Sequence, residues 1–208
     1  MRSTYPVHYT IDPPPRFTRL QLLIRLLAFC VLGIVGLSFG AAFMVGFVGL
    51  PVFAAVRLSS REDAKHSYIV NDGPMVIAAL RWFAALSAWA GLIAEHVPSR
   101  SPDETVRIDV ETTANPTPRT ALLRLLWGLP SALVLGFLCW LGVVVWLWAA
   151  LSILFTERVG PGAFNYLVGL QRWSIRLLAY QACLVDEYPP FSFADLVPPA
   201  LPTARATV

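Results

Sequence analysis

Leu125–Thr156 reads LLWGLPSALVLGFLCWLGVVVWLWAALSILFT and holds no Asp, Glu, Lys, Arg or His. About 20 apolar residues suffice to cross a bilayer core of roughly 30 Å. As one straight helix this stretch would be about 48 Å long at ~1.5 Å per residue. It must therefore tilt, project out of the lipid or turn back. Leu26–Val56 is a second stretch of the same kind, also without an ionisable residue. The rest of the composition agrees. The chain has 208 residues, 56% hydrophobic and 14% charged, where a soluble domain carries about 25% charged residues. Its mean hydropathy is +0.61. A disordered chain is excluded, and an ordinary soluble globule is disfavoured. The formal charge of +3 is too small and too scattered to point to nucleic acid.

Four arginines, Arg2, Arg16, Arg19 and Arg25, precede the first apolar stretch. That stretch is far longer than the roughly 7–15 residues of a signal-peptide core, and no cleavage site of the Ala-x-Ala kind stands near its start. A retained anchor is the expectation. Cys30, Cys139 and Cys183 are odd in number, far apart and set in apolar surroundings, which reads as small buried hydrophobes rather than a disulfide framework.

Two further segments are apolar but interrupted by charge. Gly73–Ala94 contains only Arg81, and Val159–Val185 contains Arg172 and Arg176. Asn165, Arg172 and Arg176 follow at spacings of seven and four and share one helical face. Arginine at mid-bilayer costs about 2.5–3.5 kcal/mol on insertion scales. An interfacial amphipathic helix avoids that cost by sending guanidinium groups to the headgroups, and this is the expected state of both segments.

The chain repeats itself. Val7-His-Tyr-Thr-Ile-Asp12 aligns with Val106-Arg-Ile-Asp-Val-Glu111, and both alternate in strand fashion. Leu23-Ile-Arg-Leu-Leu27 aligns with Leu122-Leu-Arg-Leu-Leu126 at the same offset. Proline-rich linkers, Pro13 to Pro15 and Pro116 with Pro118, precede the two apolar runs. Arg81-Trp82 then aligns with Arg172-Trp173, Glu95 with Asp186, and Pro98 with Pro189. Two units follow, 1–98 and 99–208, the first with a longer polar loop around Arg57 to Asp72. Arg25 and Arg57 flank one run, Arg124 and Arg158 the other. Under the positive-inside rule this sets every polar segment on the cytoplasmic side. Each run is then expected to fold as a hairpin, with bends near Gly36, Gly40 and Gly142. The rival is one span per run with inverted copies, as in some transporters.

The C-terminal constellation is the most distinctive. Arg172-Trp173, Arg176 and Tyr180 lead into Asp186-Glu187-Tyr188-Pro189-Pro190-Phe191-Ser192. Arginine forks suit phosphate oxygens, and basic pockets near an inner leaflet bind anionic lipid. The plainer reading is a structural ion pair with snorkelling arginines. The prolines stop the helix, leaving an extended strip that docks a partner or seats its aromatics on the chain's own membrane interface. Trp127, Trp140, Trp146 and Trp148 read as an aromatic belt. His8, His66 and His96 are dispersed and suggest no metal site. Arg61–Lys65 reads as a solvated loop. No nucleophile elbow, phosphate-binding loop or zincin motif is present.

The arginine–tryptophan helix, the acidic Tyr-Pro-Pro-Phe-Ser string, the Phe164-Asn165 pair and the opening Tyr5-Pro6-Val7 resemble a bacterial membrane-protein family catalogued as domain of unknown function 4389. The resemblance is close over the second unit. The first is a degenerate copy, in which Arg81-Trp82 survives but Ser99 follows Pro98 and the Tyr-Pro-Pro-Phe string is missing. It implies a duplicated architecture in a bacterial cytoplasmic membrane and carries no activity, cofactor or catalytic residue.

The expected fold is thus an all-α integral membrane protein of two tandem repeats. Each is a long apolar helical run or hairpin plus an amphipathic interfacial helix, with a short strand at its start. The expected role is non-enzymatic, a scaffold organising a protein partner, a second copy of itself or anionic lipid. The alternative is a transporter or channel component with an arginine-lined cavity between the repeats. Candidate contact residues are Arg81, Trp82, Arg172, Trp173, Arg176, Tyr180, Asp186, Glu187, Tyr188, Pro189, Pro190 and Phe191. No catalytic, cofactor-binding or metal residue is expected.

Overall fold

The computed structural model describes residues 5–34, 39–60 and 68–194. Gly36, Arg61–Lys65 and His66 lie outside the described residues. The chain is mostly helical, with one small sheet.

Strand β1 (Val7–Thr10) pairs antiparallel with β2 (Arg107–Val110), in a register that sets Val7 opposite Val110 and Tyr9 opposite Ile108. Alternation decides which face is buried. Val7, Tyr9 and Ile108 face inward, while Thr10, Arg107 and Asp109 are exposed. The helices are α1 (Arg19–Ile34), α2 (Phe39–Ser59), α3 (Gly73–Ala90), α4 (Pro118–Thr156) and α5 (Pro161–Gln181). A π-helical turn, Tyr68–Asp72, leads into α3.

Helix α4 has 39 residues and is about 58 Å long at ~1.5 Å per residue. Its start is specified locally. Thr117 accepts from the Thr120 amide at 3.2 Å, Thr120 Oγ1 accepts from the Thr117 amide at 2.9 Å, and Pro118 occupies the first turn. These close a capping box at a position where proline loses no helical hydrogen bond. The helix ends at Glu157, whose φ of 56° stops it. A hairpin in the second run is therefore corrected, since the run is one unbroken helix. The physical reason is that no polar group interrupts its centre, so nothing offsets the backbone hydrogen bonds a turn would give up. Gly142 instead makes room for Leu170 of α5, whose Cδ1 would lie 2.7 Å from a Cβ there.

The first run does not double back on itself either. The Phe17 amide donates to the Glu157 carbonyl at 2.9 Å, Phe29 meets Trp146 edge-on at 5.6 Å, and Phe47 lies against Gly128. Ala54 and Leu58 share a buried cluster with Ala121. Helices α1 and then α2 thus follow α4 in one direction, antiparallel to it.

Helix α5 is the most enclosed element. One side packs on α4, where Trp173 Nε1 donates to Ser131 Oγ at 2.9 Å and Tyr166 donates to the Leu138 carbonyl at 2.9 Å. Another side packs on α3, where Gln171 Nε2 donates to the Ala84 carbonyl at 2.6 Å. The side away from α4 carries the sheet. The result is three layers: α1, α2 and α4 outermost, then α3 and α5, then β1–β2. The interfacial, headgroup-facing state expected of α5 is corrected by this enclosure. Arg176 is fully buried, and its guanidinium meets backbone carbonyls.

Three helical segments, Phe39–Ser59, Tyr68–Ala90 and Pro118–Thr156, are long and apolar enough to cross a membrane. Outward-facing side chains on the longest remain exposed and apolar, among them Leu133 (73%), Trp140 (79%) and Phe155 (75%).

Candidate functional site

The candidate residues converge on the exit of α5 and the segment after it. Helix α5 closes with Cys183 in the left-handed region, at φ 55°. The Leu184 amide donates back to Ala179 at 3.2 Å and the Cys183 amide to Tyr180 at 3.0 Å. Helix C-termini leave carbonyls without partners and carry partial negative charge. Arg124, on α4, answers both. Its Nη1 donates to the Tyr180 and Val185 carbonyls at 2.6 Å each, its Nη2 to the Asp186 carboxylate, and its guanidinium lies over the Tyr180 ring at 4.6 Å. The planar fork of the guanidinium reaches these three acceptors while its face stacks on the ring.

Asp186 and Glu187 are fixed from the other side by the segment ahead of α4. Asp186 accepts from the Asn115 amide at 2.8 Å, and Glu187 from Thr113 Oγ1 at 2.8 Å. The Tyr5 hydroxyl donates to the Glu187 carbonyl at 3.2 Å. Burial holds the Tyr5 phenol above its ordinary pKa, with the Arg176 guanidinium, 5.6 Å from the ring, pulling the other way.

The structure does not gather Arg172, Arg176, Asp186 and Glu187 into one charged cluster. Arg172 donates to the Tyr9 carbonyl at 3.2 Å and the Phe193 carbonyl at 2.6 Å. Arg176 donates to Ser192 at 3.3 Å and Ala194 at 3.0 Å. Arg81 donates to the Ile108 carbonyl at 3.0 Å, with Asp103 at 3.8 Å. Trp82 is exposed. Tyr188, Pro189, Pro190 and Phe191 fold back along α5, with Tyr188 against Tyr180 at 5.6 Å and Phe191 against Trp173 at 5.3 Å. Phe193 then drops onto Gly169, where a Cβ would lie 2.5 Å away.

In the sequence, Arg25 and Arg124 read as flanks of the apolar runs and not as candidate contact residues. Arg25 donates to the Ala94 carbonyl and, at 2.6 Å, to the Glu95 carbonyl; its guanidinium lies over Trp89 at 5.4 Å. Both arginines are nearly fully buried. The signal was present: each is the lone charge in its copy of the Leu-rich pentapeptide.

A cleft of about 860 Å³ opens beside this region. Its walls are the Pro13–Phe17 segment, the turn after α4, the first turns of α5, and Phe193. Apolar groups dominate the lining, with Arg158, Asn165 and Arg172 among them. Among the described residues, no three His, Cys, Asp or Glu lie close enough to hold a metal ion.

The family model described as Domain of unknown function (DUF4389) matches residues 118–192, the span from the start of α4 to Ser192. No curated protein and no solved structure matches the chain.

Proposed function

With residues 118–192 belonging to the DUF4389 family, we propose that the chain is a non-enzymatic, membrane-embedded scaffold of two tandem units. Its polar side organises a protein partner or anionic lipid. The observation that carries this reading is the segregation of the surface. The outer faces of α1, α2 and α4 expose Leu, Val, Phe and Trp along their described residues, while the sheet, with Arg81 and Arg172 bonded to its carbonyls, lies on the far side of α3 and α5. Burying a Leu, Val or Phe side chain is worth about 1.5–3 kcal/mol, so such a face favours lipid over water.

Paired geometry supports the two units. Leu92 and Cys183 end α3 and α5 with φ of 60° and 55°. Arg25 and Arg124 reach the carbonyls after those ends. Arg81 of the first unit holds the strand of the second, and Arg172 of the second holds the strand of the first. A two-fold relation through the Tyr9–Ile108 pair exchanges these contacts. Its axis crosses the layers, so both units present their polar side to the same face. The cytoplasmic face of a bacterial membrane is the assignment that arginine flanking favours.

Against an enzyme, Asp186 and Glu187 are both held by backbone and side-chain donors. A transport role is the second reading, favoured by the cleft between the N-terminal segment and the second unit. Arg172 lines it, whereas Arg81 and Arg176 do not.

Carbonate washing of native membranes, followed by detergent purification and mass spectrometry, tests the scaffold. Retention in the membrane with a stoichiometric partner is expected. Full release by carbonate overturns the membrane reading. A flux of solute through proteoliposomes would favour the transport reading instead.

A further inference from the structure

We propose that the cleft at the α4–α5 turn binds one anionic phospholipid, its acyl chain on the apolar wall and its phosphate at Arg158 and Asn165. This deepens the membrane reading and rests on it. Four observations carry it. The volume of about 860 Å³ falls within the roughly 300–1,000 Å³ of small-molecule sites. The charge is one-sided, because Arg158 and Arg172 line the cleft and no lining residue is acidic. The cleft also adjoins the end of the lipid-facing helix α4, where Arg158 lines it. Helix α4 ends at Thr156, directly after Phe155, which is 75% exposed. Arg158, two residues beyond that end, is within reach of the headgroup of a phospholipid packed beside the end of α4.

The fourth observation is a contrast between the two arginines that follow the apolar runs. Arg57 is neutralised by Asp72, to which its Nε donates at 3.0 Å. Arg158 has no acidic partner among the described residues, and its neighbour Glu157 faces Arg19 at 3.5 Å. Arg172, anchored by the Tyr9 and Phe193 carbonyls, fixes a second positive charge in the wall. Arginine and phosphate oxygens match in charge and hydrogen-bond geometry.

The test is native mass spectrometry of the full chain in detergent, offered palmitoyl-oleoyl phosphatidylglycerol and phosphatidylcholine in equal amounts. One retained phosphatidylglycerol per chain is expected. Arg158→Glu should lower its retention at least about fivefold, the worth of one arginine at an anionic lipid surface. Asn165→Trp, which fills the mouth from an exposed helical position, should lower it as well. Arg119→Glu, an equal charge change on the exposed first turn of α4, should leave it unaltered. Equal retention of the two lipids, or an Arg158→Glu variant that holds phosphatidylglycerol like the parent, overturns the proposal. So does inorganic phosphate if it protects the chain from heat as well as the lipid does, since the site would then be one for a free anion. Carbonate washing separates the two failures. Variants that lose lipid yet stay in the membrane bear on the cleft alone, whereas a parent chain released by the wash overturns the membrane reading first.

Discussion

Arg124 shows how one side chain joins distant parts of the chain. Its guanidinium satisfies the Tyr180 and Val185 carbonyls and pairs with Asp186. The Asp186 side chain is 47% exposed, so the ion pair contributes only about 0–1 kcal/mol. Each buried carbonyl left without a donor costs about 1–3 kcal/mol. The Tyr180 carbonyl keeps the Cys183 amide, so Arg124→Leu orphans the Val185 carbonyl and should destabilise the fold by about 1–4 kcal/mol, read as a lowered thermal midpoint in detergent. Arg124→Lys should recover little of it, because one ammonium cannot replace the fork. An unchanged midpoint for Arg124→Leu would remove the capping role. Glycines divide in the same way. A Cβ at Gly169 would sit 2.5 Å from Phe193, whereas at Gly136 it would meet nothing within 4 Å. Gly169→Ala should cost about 1–3 kcal/mol through overpacking, and Gly136→Ala should stabilise α4 by up to about 1 kcal/mol through helix propensity. Paired melting curves check both signs.

At the scale of elements, the three cysteines report where each helix lies. Cys30 on α1 and Cys139 on α4 are exposed at the protein surface, while Cys183 beyond α5 is buried. In native membranes a charged maleimide should label none of them, and a lipid-soluble maleimide should label Cys30 and Cys139. Labelling of Cys139 by the charged reagent in intact membranes would show that α4 faces water. Burial also pushes the Cys183 thiol up from 9.0 to about 11. The folded chain keeps a proton that the unfolded chain releases, so this contribution to stability is complete below pH 9.0 and declines as pH rises through about 11. Burial raises the Tyr5 and Tyr9 phenols in the same direction. Alkaline unfolding should begin later in Cys183→Ala, and an unchanged onset would show that the thiol makes no contribution. Much of the element pattern was legible beforehand. Alternation marked β1 and β2, and apolar runs bounded by arginine marked α1, α2 and α4. The acceptors of the arginines were not legible. Arg172 and Arg176 bond to backbone carbonyls far along the chain, and a carbonyl has no sequence signature. Asp186 lay near Arg176 in sequence, yet its cation is Arg124, because the tight exit of α5 turns the carboxylate back toward α4.

At the scale of the whole molecule, the length of the apolar layer bears on how it meets the membrane. Helix α4 runs about 58 Å at ~1.5 Å per residue, nearly twice a hydrocarbon core of roughly 30 Å. The sheet stands over the middle of that layer. Arg172 joins Tyr9 of β1, and its neighbour Trp173 joins Ser131, in the first half of α4. An upright α4 would hold the sheet at hydrocarbon depth, with Arg107 and Asp109 exposed. On insertion scales each such charge costs about 2.5–3.5 kcal/mol, and the open sheet edges would lack partners in lipid. A layer lying along the membrane avoids both costs. Its apolar face then sinks into one leaflet, with the sheet and the basic groups toward water. The two ends of α4 should therefore be reached from the same side. Cysteines placed at Arg119 and Arg158, one at a time with the native cysteines removed, should both react with a membrane-impermeant maleimide in inside-out vesicles and neither in right-side-out vesicles. Reaction of the two positions from opposite sides would instead make α4 a tilted span, and the sheet would then need a protein partner to cover it within the membrane.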